Sequence, residues 1–262
     1  MKKIVLPFLI VVGLPLALGA FYVHDILTFV SAEKRPAFLD ERFPLSDAYR
    51  AADAAYKTGD YAAAFPKFLD QAKAGDPVAM TKAGYMYGAG EGVAKSPRLE
   101  FEWYMKAARK GYPPAQNNAG IVLESGVGVA RDEAAARSLH LAALAQGYAN
   151  AAVSLAIQEG RPYSTSPDID AYRKWMIKAA DLGDAMAQVH VAFRYFMDSD
   201  PLRFHRYLVR SARQGNAPAR LYLWRKDPNY ASIGVGWGEM ACVYIRINLL
   251  HHRPDACDGY SF

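Results

Sequence analysis

Ser96-Pro97-Arg98-Leu99-Glu100-Phe101-Glu102-Trp103-Tyr104-Met105-Lys106-Ala107-Ala108-Arg109-Lys110-Gly111 reads as one complete helix with its own start and stop. The leading serine accepts an orphan backbone N–H of the first turn. Proline is tolerated at the first helical position, and glycine takes the positive φ that follows a helix C-terminus. The same punctuation recurs along the chain. Gly75, Gly111, Gly147 and Gly183 are spaced by 36 residues, and Gly215 follows after 32. A capping residue stands 15 positions before each of Gly75, Gly111, Gly147, Gly183 and Gly215: Asp60, Ser96, Asp132, Asp168 and Asp200.

A third series defines a partner helix. Four residues past each glycine is an alanine: Ala79, Ala115, Ala151, Ala187 and Ala219. Four further on, on the same helix face, come Ala83, Ala119, Leu155, Val191 and Leu223. Large side chains, Trp103, Leu139, Trp175 and Tyr207, stand eight residues before their glycines. Small-against-large packing in fixed register predicts an all-α fold, a right-handed α-solenoid of about five helix-pair repeats over residues 47–220. Past Leu223 the register is lost. Residues 221–262 are expected to form a C-terminal cap with a helix from Glu239 to Leu250 that hides the apolar end of the stack.

Between the helices, two repeats carry a glycine-rich turn, Gly88-Ala89-Gly90-Glu91-Gly92-Val93 and Gly126-Val127-Gly128-Val129. With Trp103, Tyr104, Ala107 and Ala108 in the following helix, this pattern resembles the Sel-one-like repeat family, the branch of the tetratricopeptide superfamily with longer inter-helix turns. The first unit, Lys57-Thr58-Gly59-Asp60-Tyr61-Ala62, is closer to an ordinary tetratricopeptide pair. The last unit is four residues shorter between its helices, from Phe193 to Asp200.

The N-terminus is a targeting segment in layout. Lys2 and Lys3 precede a run from Ile4 to Val23 without a charged residue. Ala17-Leu18-Gly19-Ala20 and Val30-Ser31-Ala32 offer cleavage sites, whereas roughly 20 apolar residues also suffice to span a bilayer. Residues 1–32 are therefore read as a signal peptide or a transmembrane anchor. In both cases the remainder is exported to the periplasm, with the two lysines left on the cytoplasmic side. Residues 33–46, containing Pro36 and Pro44, are expected to be a linker. In an exported chain the two cysteines, Cys242 and Cys257, read as one disulfide, since they lack the close spacing of zinc ligands.

No constellation for catalysis emerges, and no metal or cofactor is expected. The six histidines are scattered, and no serine sits in a Gly-x-Ser-x-Gly elbow. Gly234-Val235-Gly236-Trp237-Gly238 lacks the strand and Lys-Ser/Thr of a phosphate loop. Glu100 and Glu102 read as a solvated helix face. Charge is more informative. Residues 33–160 hold 15 basic and 15 acidic side chains, while residues 161–226 hold 12 and 6. Within the latter, Arg203, Arg206, Arg210 and Arg213 share one helix face suited to an acidic protein surface or anionic lipid headgroups.

The family resemblance implies that the first helix of each pair lines a concave recognition groove. Positions seven and eleven past each glycine stack on that helix: Lys82 and Met86, Asn118 and Val122, Ser154 and Gln158, His190 and Arg194. A mixed polar stripe of this kind suits a polypeptide partner, while the export signal argues against nucleic acid and the lack of a catalytic constellation against a small-molecule substrate. Exported proteins of this family include immunity proteins that neutralise type VI secretion phospholipase toxins. The resemblance therefore implies a non-catalytic protein-binding module of that kind, or alternatively an envelope scaffold or regulatory adaptor.

Overall fold

The computed structural model describes residues 35–160 and 169–216, together with residues 219, 220, 222 and 223. Among these every regular element is a helix. Residues before Leu45 form a unit of their own. The centre of its described part is α1 (Ala37–Arg42). The Arg35 guanidinium donates to the carbonyls of Leu39 and Phe43 at 2.9 and 2.6 Å, adding to the Phe43 N–H that Leu39 already accepts and tying down the chain where the helix ends.

From Leu45 onward the helices come in pairs: α2 (Asp47–Lys57) with α3 (Tyr61–Lys73), α4 (Pro77–Ala89) with α5 (Pro97–Arg109), and α6 (Pro113–Ser125) with α7 (Glu133–Ala145). Then follow α8 (Ala149–Gly160) with α9 (Ile169–Asp181), and α10 (Ala185–Met197) with α11 (Pro201–Arg213). Each packs on the next, and α6 also touches both α4 and α8, so first helices adjoin one another in a layer.

The punctuation behaves as its chemistry requires. The side chains of Asp60, Ser96, Asp132 and Asp200 each accept the amide three residues on, at 2.9–3.3 Å. Asp168 lies outside the described residues. The five register glycines have φ between +78° and +106°, where an L side chain is strained. Both alanine-led series are core: the first is at most 1% exposed and the second at most 4%.

The glycine-rich turn has a mechanical explanation. Gly90 and Gly126 end α4 and α6 in the left-handed conformation. The next glycine of each turn presses on the preceding pair. A Cβ on Gly92 would lie 2.1 Å from the Tyr61 carbonyl oxygen, and one on Gly128 would lie 2.8 Å from the Pro97 carbonyl carbon. Val93 and Val129 then pack into the neighbouring core clusters. In the shorter last unit Ser199 takes the left-handed position, at φ 58°.

Candidate partner-binding surface

The first-helix layer does not expose every residue that the spacing selects. Lys82, Asn118 and His190 reach the surface, but Ser154 is only 8% exposed. Met86 is fully buried in the cluster that joins α2, α3 and α4, and Val122 is buried in the next. Met86 and Ser154 are therefore core residues rather than groove residues. Position eleven lies about 40° round the helix from position seven, which in the first two repeats is enough to turn it under the layer. Gln158 is partly buried and donates to the Glu133 carbonyl at 3.0 Å, while Arg194 is exposed and pairs with Asp198 at 2.8 Å.

Position ten supplies what position eleven does not. Tyr85, Ile121, Ile157 and Phe193 occupy it, all at least partly exposed, with Ile157 at 50%. Three residues separate positions seven and ten, so they stand one above the other on the helix. A large apolar residue in all four repeats was the available signal for this second stripe.

At the N-terminal end the polar members are already engaged. The Tyr56 hydroxyl donates to Glu91 Oε2 at 2.8 Å. The Lys82 ammonium lies 3.1 Å from the Tyr56 ring centroid and 5.2 Å from that of Tyr85. Burial lowers the Lys82 pKa to about 8, opposed by the charges of Asp53 and Glu91. Glu100 is not a solvated residue. Its carboxyl fills the space left by Gly88, where a Cβ would lie 2.4 Å away, and burial raises its pKa to about 7. Tyr104 is buried with Glu100 on one side and Asn118 on the other, and so links α5 to the groove face of α6.

At the other end a cleft of about 240 Å³ opens between α9 and α10. Ile169, Met176 and Val191 contribute its apolar wall, and Tyr172, His190 and Arg194 its polar part. The rings of Tyr172 and His190 meet edge-on at 5.5 Å, with Tyr172 Oη 3.3 Å from His190 Nε2. Desolvation lowers the His190 pKa, which favours the neutral ring, whose Nε2 in one tautomer accepts the hydrogen bond of the tyrosine hydroxyl.

The four arginines of α11 divide into two kinds. Arg203 pairs with Asp200 at 3.5 Å and lies over the Tyr195 ring. Arg210 reaches the Asp181 carboxylate at 3.7 Å and its carbonyl at 3.3 Å. Arg206 and Arg213 are exposed and make no such contact among the described residues. Among those residues no group of three His, Cys, Asp or Glu is placed to hold a metal, and no helix is long and apolar enough to cross a membrane. Cys242, Cys257, the apolar run 4–23 and all of the C-terminal cap but residues 222 and 223 lie outside them.

Serial helix pairs with a small-residue seam and a lined first-helix layer define a helical-repeat protein-interaction module. The chain carries three tandem Sel1 repeats, matched at residues 77–112, 113–148 and 149–184. These boundaries coincide with α4–α5, α6–α7 and α8–α9. A Sel1 repeat protein from Oxalobacter formigenes is 26% identical with a TM-score of 0.56, over 76% of this chain and 82% of that one. A protective antigen of uropathogenic Escherichia coli with an SLR fold is 20% identical with a TM-score of 0.54, over 75% of this chain and 44% of the antigen. An immunity protein from Pseudomonas aeruginosa is 19% identical with a TM-score of 0.51, over 78% of this chain and 83% of that one. No curated protein matches the chain in sequence.

Proposed function

We propose that this chain is an exported immunity protein that binds a type VI secretion phospholipase toxin through its first-helix layer and occludes it in the periplasm. The observation that carries the reading is pre-organisation. Lys82 is held by Tyr56 and Tyr85, and His190 by Tyr172. Side chains fixed before docking lose little conformational entropy on binding, which favours the tight one-to-one complex that neutralisation needs. The charge-free run after Lys2 and Lys3 supports export, and an immunity protein is among the proteins sharing the fold.

The test is to tag the exported form, crosslink in living cells, identify the product and assay it. One dominant partner at near-equal stoichiometry, with lipase activity that the purified chain abolishes, is the expected result. A spread of envelope components without a lipase would replace this reading with that of an envelope scaffold.

A further inference from the structure

The outward face of α11 lies apart from the first-helix layer and has its own chemistry. Tyr207, Leu208, Ser211 and Ala212 turn into the core. Opposite them Leu202, Arg206, Val209 and Arg213 follow one another at steps of four, three and four residues, a single line about 16 Å long. Leu202 is 79% exposed, the largest value among the exposed large apolar side chains of the described residues. Val209, two turns further on, is partly buried against the core cluster. Arg206 and Arg213 have no acidic partner among the described residues, whereas Arg203 and Arg210, on the flank, are drawn back to Asp200 and Asp181. The stretch 161–226 carries six more basic than acidic residues (12 against 6) in a chain whose residues 33–160 are neutral.

We propose that this face of α11 docks on an anionic phospholipid bilayer, with Arg206 and Arg213 meeting lipid phosphates and Leu202 entering the acyl boundary. What this line presents to solvent is two guanidinium groups, unpaired among the described residues, and one protruding apolar side chain. A bilayer surface asks for little more, because its headgroups move to meet long guanidinium side chains. An exposed leucine at the head of a line whose unpaired arginines follow at Arg206 and Arg213 also matches the pattern of interfacial helices, with cationic heads at phosphate depth and an apolar side chain below. An acidic protein surface would use the same charges and have no need of Leu202.

The experiment is sedimentation of the full chain with vesicles of phosphatidylcholine alone and with about 30% phosphatidylglycerol, at roughly 0.1 M salt. The apolar run 4–23 is present throughout, so the readout is the ratio of anionic to neutral binding. Wild type is expected to prefer the anionic vesicles by about tenfold or more, and R206E/R213E to lose most of that preference. L202A should lower anionic binding about threefold, and the control K67E/K73E, the same charge change on exposed residues of α3, should change nothing. Thermal melts confirm folding, and R206Q/R213Q gives an intermediate loss if the reversal disturbs it. The proposal is overturned if R206E/R213E keeps the preference, or if K67E/K73E loses as much. It is also overturned if L202A is silent on vesicles while poly-glutamate binding falls with the arginines, which assigns the face to an acidic protein.

Discussion

The two halves of the repeat stack share one backbone plan and fill it by opposite means. In α4 and α6, glycines stand nine residues past the register glycine, and each admits a ring from the paired helix. A Cβ on Gly84 would lie 2.9 Å from Tyr104, and one on Gly120 would lie 2.5 Å from His140. His140 is fully buried there, with Nδ1 2.9 Å from Asn117 Oδ1. In α8 and α10 the same position holds Ala156 and Ala192, and the ring position holds Met176 and Leu208, all within one apolar cluster. The surface follows the interior. Lys82 against Tyr56 and Tyr85 marks the first half of the surface, and exposed Ile157 and Met186 with an arginine-edged cleft around Tyr172 and His190 mark the second. Caps, register glycines and the alanine seam set where helices lie, and the residues between them are free to set what the layer recognises.

The largest effects should come from the glycine wedges, which are confined to the first half. Gly92→Ala and Gly128→Ala each combine a left-handed φ with a collision against backbone, and should cost about 3 kcal/mol or more in urea denaturation. Loss under about 1 kcal/mol would mean that the turns do not couple adjacent pairs. Next comes the interior exchange. Gly120→Ala forces the His140 ring out of place and should cost about 2–3 kcal/mol, whereas Ala156→Gly should cost only about 1. Equal costs would erase the distinction between the halves.

The smaller effects are pH-dependent and sharpen the account of the first half. Between about pH 4.5 and 7, Glu100 binds a proton in the folded chain and not in the unfolded one, so its contribution to stability falls as pH rises through that window. Glu100→Gln should remove that slope, worth no more than about 2 kcal/mol once solvent screening is allowed for. Lys82 has the opposite sign. Between about pH 8 and 10.5 the unfolded chain holds the proton that the folded chain has released, so stability rises with pH. Lys82→Met should flatten this second slope and leave the first intact in the same pH series of denaturation curves.

How much was legible in the sequence follows from how local each cause is. A cap, a left-handed glycine and a seam alanine act within a turn or at one fixed register, and every described member of those series is where the spacing puts it. The groove was harder. Whether Met86 or Tyr85 faces outward is settled by a few tens of degrees, which spacing alone does not resolve. Glu100 looks solvated until Gly88, on the paired helix, is seen to make room for it. The α11 arginines look alike until Asp181, on α9, claims Arg210. Proline positions suggested a linker at 33–46, and they left no mark of the short helix at Ala37–Arg42 whose end Arg35 binds.

The central claim, that the first-helix layer is the recognition surface, is tested most directly by site-specific photocrosslinking in living cells. The crosslinker would be placed at Asn118 and at Ile157 on that layer, and at Leu141, which is 39% exposed on the second helix α7. The account predicts one shared product from Asn118 and Ile157 and none from Leu141. A product from Leu141 alone would contradict it and move recognition to the second helices.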